Sequence, residues 1–170
     1  MLDGHHYQIA YVTRDIEKAA VRLAPEIRAR DIHIRETSFP AVTPTGSGTA
    51  VLKLALIWVD EVQYELIQPI KGPVEIYADL LPQDNALRFH HIAIRVDDWD
   101  SFRKEVDRRS LNVVLEGGNE ALKFLYLDRR DLVGHHIEYV WATHDRWAVM
   151  GAPWAQVRGD AFSRTSGAEQ

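Results

Sequence analysis

An internal repeat constrains this chain more than any other feature. Gln8-Ile9-Ala10-Tyr11-Val12 leads into Thr13-Arg14-Asp15, and His91-Ile92-Ala93-Ile94-Arg95-Val96 leads into Asp97-Asp98. An offset of 83 residues lays Ile9, Ala10 and Asp15 on Ile92, Ala93 and Asp98. Each copy continues with a helix-like stretch, further strand-like runs, and a closing strand that carries one glutamate among apolar residues. The closing strands are Gln63-Tyr64-Glu65-Leu66-Ile67 and His136-Ile137-Glu138-Tyr139-Val140. A chain of 170 residues is then one domain, or two small halves that share a core.

The pattern within each copy reads β-α-β-β-β. Tyr7 to Val12 is strand, Asp15 is a helix N-cap, and Ile16, Ala19, Ala20 and Leu23 recur at helical spacing until Pro25. Ile32 to Ile34 is a short strand. Phe39 to Gly48, with Pro40, Pro44, Gly46 and Gly48, reads as a loop that can serve as a lid. Thr49 to Val59 and Val62 to Ile67 form a hairpin. In the second copy Asp98 caps a helix with Trp99, Phe102 and Val106 on one face. Val113 to Leu115 is strand, Gly117-Gly118 a turn, and Leu122 to Leu127 pairs with His136 to Val140. The organisation expected is a first module over 1–70, a connector helix within 71–89 opened by Pro73, a second module over 90–142, and a C-terminal extension over 143–170. Trp147, Met150 and Trp154 of that extension are expected to pack on the body or on a second subunit.

Composition removes several classes. The chain has no cysteine, so neither a disulfide framework nor a thiolate metal site is available. Net charge is −5 and no Lys/Arg cluster is interleaved with aromatics, which argues against nucleic acid as a partner. No apolar run reaches the roughly 18 residues of a membrane span. Met1 to His6 is polar and no apolar stretch follows, so no signal peptide and a cytoplasmic protein are expected.

Strand alternation selects the candidate site. Gln8, Ala10 and Val12 share one face, as do His91, Ala93 and Arg95; the small alanines leave room beside them. Gln63, Glu65 and Ile67 share a face, as do His136, Glu138 and Val140. A carboxylate on a half-buried strand is costly unless paired or bound to a cation, and here two occur at matching places of a repeat. Gln8, Glu65, His91 and Glu138 are therefore the candidate metal ligands. Gln63, Arg95 and His136 are candidates for lining a substrate pocket. Each histidine doublet (His5-His6, His90-His91, His135-His136) is expected to offer one member to a given face.

QIAYVTRDIEKA, YELIQP, HHIAIRVDD and GHHIEYV, in this order over about residues 7 to 141, resemble the vicinal oxygen chelate superfamily, also called the glyoxalase/bleomycin-resistance/dioxygenase family. The resemblance implies an α+β fold of two tandem βαβββ modules whose eight strands form an open barrel-like sheet around one divalent metal ion. Carried over, the family's metal positions fall on Gln8, Glu65, His91 and Glu138. Extradiol dioxygenases use two histidines and one carboxylate, so this set argues against oxygen chemistry. It is similar to that of the Gln-first branch of glyoxalase I, and methylmalonyl-CoA epimerase has a close variant. Zn, Ni, Co, Mn or Mg would suit the donors. The implied chemistry is proton transfer next to a carbonyl through a metal-stabilised enediolate, with Glu138 as base and Glu65 assisting. A glyoxalase-like isomerisation of a hemithioacetal and an epimerase-like reaction on an acyl thioester both remain open. So does a non-catalytic small-molecule binder of the antibiotic-binding type. A homodimer is implied by resemblance alone.

Overall fold

The computed structural model describes residues 2–29 and 32–156. The elements in chain order are β1 (His5–Val12), α1 (Ile16–Glu26), β2 (Ile34–Thr43), β3 (Gly46–Val59), β4 (Val62–Lys71), α2 (Glu75–Ala78), β5 (Arg88–Arg95), α3 (Trp99–Arg108), β6 (Val113–Asn119), β7 (Leu122–Asp128), α4 (Arg130–Val133), β8 (His136–Ala142), α5 (His144–Val149) and α6 (Pro153–Gln156). The eight strands form one ring in the order β1-β4-β3-β2-β6-β7-β8-β5. The sheet expected to be open thus closes, but on the β2/β6 side only Ala41↔Gly117 and Val42↔Glu116 pair.

The repeat offset explains how the halves join. β1 and β5 run antiparallel with Ile9 opposite Ile92, so Gln8 faces Ala93 and Ala10 faces His91. Within each half the first and closing strands are parallel, which sets Ala10 beside Glu65 and Ala93 beside Glu138. The four chosen positions consequently gather around the junction of the two modules.

Both long helices begin where the aspartates stand. The Lys18 amide donates to Asp15 Oδ1 at 3.0 Å, and the Ser101 amide donates to Asp98 Oδ1 at 3.0 Å. α1 buries Ile16, Ala19 and Ala20 against Ala55, Ile57 and Leu66 on the outer face of the sheet. α3 buries Trp99, Phe102 and Val106 against Leu125, Leu127, Ile137 and Tyr139. Strand alternation turns the other face inward, so Ala10, Val12, Leu52, Ile67, Ala93, Phe124, Tyr126 and Val140 form the interior. Truncating Phe102, which stacks on Tyr139 at 4.7 Å, would cost about 3–5 kcal/mol.

Three local expectations are corrected. Residues 39–48 are not a loop or lid but the end of β2 and the start of β3, a hairpin turning at Pro44-Thr45 with Thr43 opposite Gly46. Gly117-Gly118 is not a turn; both glycines lie in β6, and the chain reverses between Asn119 and Leu122. Of the segment 71–89 only Glu75–Ala78 is α-helical, because Gly72, at φ +85°, and Pro73 delay the start and Pro82 follows closely.

The extension continues from β8 into α5 and α6 and packs on the body. Trp147 and Trp154 stand edge-on to Tyr7 at 5.2 and 5.7 Å, and the Trp58 indole N–H donates to the Met150 carbonyl at 2.7 Å. Residues 157–170 lie outside the described residues.

Candidate metal centre

Glu65, His91 and Glu138 come together in the barrel, each offering a ligand atom within 4.8 Å of the others. His91 is fully buried and both glutamates are 7% exposed. His91 Nε2 lies 3.2 Å from Glu138 Oε2, 3.6 Å from Glu65 Oε2 and 3.3 Å from Gln8 Oε1. Gln8 is held by its other end, since its Nε2 donates to Gln63 Oε1 at 2.7 Å. The amide oxygen is thereby turned toward His91. Among the described residues no Lys or Arg pairs with either glutamate.

The histidine doublet behaves differently from strict alternation. In the β1/β5 ladder His6 pairs with Ile94 and Gln8 with Ala93, which leaves Tyr7 as an extra residue. Ala10 pairs with His91 and Tyr11 with Phe89, which leaves His90 extra. Each is a β-bulge, and the two are 83 residues apart, the offset of the repeat. A bulge lets neighbours face the same way, so His90 and His91 are both 0% exposed. Their rings meet edge to face at 5.0 Å, with Nδ1 to Nδ1 at 2.8 Å. The expectation that only one member of this doublet turns inward is therefore overturned.

Burial sets the electrostatics. The carboxyl of Glu65 is held well above its ordinary range, first by removal from water and then by Glu138. Glu138 is pushed up to about 8 by burial, and a hydrogen bond from Tyr126 opposes the rise. The imidazoles of His90 and His91 are both driven toward the neutral form, again chiefly by burial. Two carboxylates that resist ionisation, a neutral imidazole and an amide oxygen share one small space. This is a donor set that a divalent cation satisfies, because it neutralises both charges and accepts every lone pair. The residues present fit such an ion.

The site opens into a cavity of about 170 Å³. Phe39, Leu52, Leu54, Phe124, Val140 and Met150 give it apolar walls, and Arg35 and Arg146 add positive charge. Gln63 lies among the residues that line it. Arg95 does not: its guanidinium lies over the Trp154 ring at 4.8 Å, with Nε 3.4 Å from Asp97. His136 does not either. It lies one inward step before Glu138 on β8, where it sits 5.2 Å from the His90 ring with Nδ1 3.9 Å from Asp128. Tyr7, Tyr77 and Tyr126 line the cavity and were not singled out from the sequence. Neither were Arg35 and Arg146, which reach it only through long-range pairing of β2 and docking of α5.

Residues 7–126 match the family model of the glyoxalase/bleomycin resistance protein/dioxygenase superfamily. The chain belongs to that superfamily. Among solved structures it is similar to methylmalonyl-CoA epimerase from Mycobacterium tuberculosis, with 17% identity, a TM-score of 0.59, and coverage of 87% of this chain and 97% of the other. A methylmalonyl-CoA epimerase in complex with methylmalonyl-CoA and ammonium gives 16% identity, a TM-score of 0.58, and coverage of 82% and 95%. A hypothetical protein from Bacillus halodurans gives 16% identity, a TM-score of 0.56, and coverage of 84% and 96%. At these identities the likeness is one of fold. No curated protein sequence matches the chain. Among the described residues no helix is long and apolar enough to cross a membrane.

Proposed function

We propose that this chain is a divalent-metal-dependent enzyme that moves a proton at a carbon next to a carbonyl group. The observation that carries the reading is the pair of buried glutamates, one from each module, converging on His91 Nε2 at the end of a small cavity. Gln8, Glu65, His91 and Glu138 would hold the ion. When bound, a divalent ion supplies positive charge for the oxyanion that develops as the proton leaves.

The chain's own residues do the rest. Glu138 takes the proton from carbon as its carboxylate becomes a carboxylic acid, and the C–H electron pair passes toward the carbonyl oxygen. A carboxyl displaced upward toward neutral pH is a better base than an ordinary glutamate. The Tyr126 phenol beside Glu138 opposes part of that upward displacement. Glu65, which burial favours in its protonated form, gives its own proton to the substrate and is left as a carboxylate. The apolar walls limit water, and Arg35 and Arg146 suit a substrate with a negatively charged group.

Return of the proton to the neighbouring carbon would be glyoxalase I-like isomerisation of a hemithioacetal. Return to the same carbon from the other side would be epimerisation of an acyl thioester. A carboxylate from each module suits either reaction, and the epimerase fold relatives support keeping the second beside the first.

The test is deuterium exchange by NMR in D2O with the metal-loaded protein, offered hemithioacetals and acyl-CoA thioesters. Exchange at the carbon next to the carbonyl, lost in Glu138→Gln, is the expected result. Binding without exchange across both sets would leave a small-molecule binder as the better reading. The homodimer belongs to this proposal and is checked by sedimentation.

A further inference from the structure

His90 is fully buried, lines no part of the cavity, and takes no part in the proton transfer proposed above. Both of its ring nitrogens are nonetheless engaged. Nε2 lies 2.8 Å from the Ile76 carbonyl oxygen, and Nδ1 lies 2.8 Å from Nδ1 of His91. A carbonyl oxygen only accepts, so Nε2 of His90 carries a proton. The ring is stacked on Tyr77 at 4.9 Å and faces the edge of Tyr126 at 6.0 Å, with two further imidazoles beside it. No carboxylate pairs with it among the described residues, so a positive charge would be uncompensated and the ring is neutral. Its Nδ1 is then a lone pair.

The proton in the Nδ1–Nδ1 contact therefore belongs to His91, and Nε2 of His91 is bare. That bare nitrogen is the one facing Gln8, Glu65 and Glu138. The other tautomer of His91 would need His90 to donate through Nδ1. A neutral His90 would then point the Nε2 lone pair at the Ile76 oxygen across 2.8 Å.

We infer that His90 is a positioning residue: anchored on the backbone of α2, it locks His91 in the Nδ1–H tautomer and aims the Nε2 lone pair at the metal position. The inference rests on the metal-site reading above. The β-bulge at His90 is what makes the relay possible, since strict alternation would turn the ring to the opposite face. The single helical turn of α2 provides the terminal acceptor, so the connector between the modules holds the site's nitrogen donor. Such outer partners fix ring orientation and raise ligand basicity.

Two substitutions separate this role from packing. Phenylalanine keeps a ring but offers neither donor nor acceptor. Glutamine offers one of each, able to accept from His91 Nδ1–H and donate to the Ile76 carbonyl. Zn and Ni titrations of the wild type, His90→Phe and His90→Gln, with unfolding midpoints as control, give the first readout. His90→Phe should bind about 10- to 100-fold more weakly and His90→Gln should recover most of that loss. The second readout is 15N NMR of the metal-free wild type, in which His91 should be protonated at Nδ1 and bare at Nε2. A folded His90→Phe that binds as tightly as the wild type would overturn the inference. So would an Nε2–H tautomer of His91, which decides the matter alone if the Phe variant does not fold. A wild type with the Nδ1–H tautomer that takes up no divalent ion would sink the metal reading and leave the hydrogen-bond relay standing.

Discussion

Replacing Glu138 by glutamine should stabilise the metal-free protein at alkaline pH while weakening the metal-loaded one. The folded protein keeps this carboxyl protonated up to about pH 8, whereas the ordinary value is 4.5. Between these limits the folded state holds a proton that the unfolded chain has released. Stability from this group therefore falls as pH rises through the window, by up to about 1.4 kcal/mol per pH unit, and levels off above it. Glutamine has nearly the same shape and does not titrate. His91 and Glu65 titrate in both proteins, and in the variant Glu65 also escapes the repulsion of an ionised Glu138, which adds to the gain at high pH. At pH 5 the two metal-free proteins should differ by less than about 1 kcal/mol, and at pH 9 the variant should be more stable by a few kcal/mol. For a chain of this length that is on the order of 5–10 °C in Tm. Urea unfolding in the presence of a chelator at both pH values is the assay. With the metal restored the order should reverse, because only the wild type gains the full binding energy. A variant that is less stable than the metal-free wild type at pH 9 would refute the claim that burial holds Glu138 in its protonated form.

Other consequences follow from the same geometry. Tyr126→Phe removes the hydrogen bond that restrains Glu138; the pH midpoint of metal uptake should rise by about one unit, and an unchanged midpoint would count against that contact. Gly117→Ala would set a Cβ 2.7 Å from Phe124 Cζ, 3.0 Å from Phe39 Cδ2 and 3.1 Å from the Pro40 carbonyl oxygen. It should cost about 1–3 kcal/mol in urea unfolding, and full stability would contradict the close approach of β6 to the Phe39–Phe124 pair. Trp58→Phe deletes the bond to the Met150 carbonyl. Amides 144–156 should then exchange faster while those of β4 and β8 stay protected; uniform protection would show that this bond does not hold the extension.

The parts of the fold that local chemistry dictates were legible in the sequence. Asp15 and Asp98 cap helices because short acidic side chains reach the first free amides, and the period of Trp99, Phe102 and Val106 fixes the buried face of α3. Ala10 and Ala93 pointed to the open face, and the inward phase of Gln8, Glu65, His91 and Glu138 follows from alternation. What stayed hidden depends on partners distant in the chain. Pro40, Gly46 and Gly48 look like loop residues. They sit in strands because β2 and β3 pair along ten positions, and a proline is tolerated where its missing N–H is not needed. Gly117 looks like a turn residue, yet its missing side chain makes room for two phenylalanines. The bulges at Tyr7 and His90 arise from pairing the two copies of the repeat against each other, and no residue type announces them. Arg146 joins the cavity only because Trp58, Trp147 and Trp154 dock the extension on the first module.

The central claim is that Glu65, His91 and Glu138, with Gln8, hold one divalent ion. Elemental analysis of gently purified protein, before and after reloading with Zn, Ni, Co, Mn and Mg, tests it directly beside the Glu65→Gln/Glu138→Gln double variant. About one equivalent of metal in the wild type, lost in the folded variant, is the predicted result. A wild type that retains no metal after reloading, or a variant that retains as much, would contradict the account.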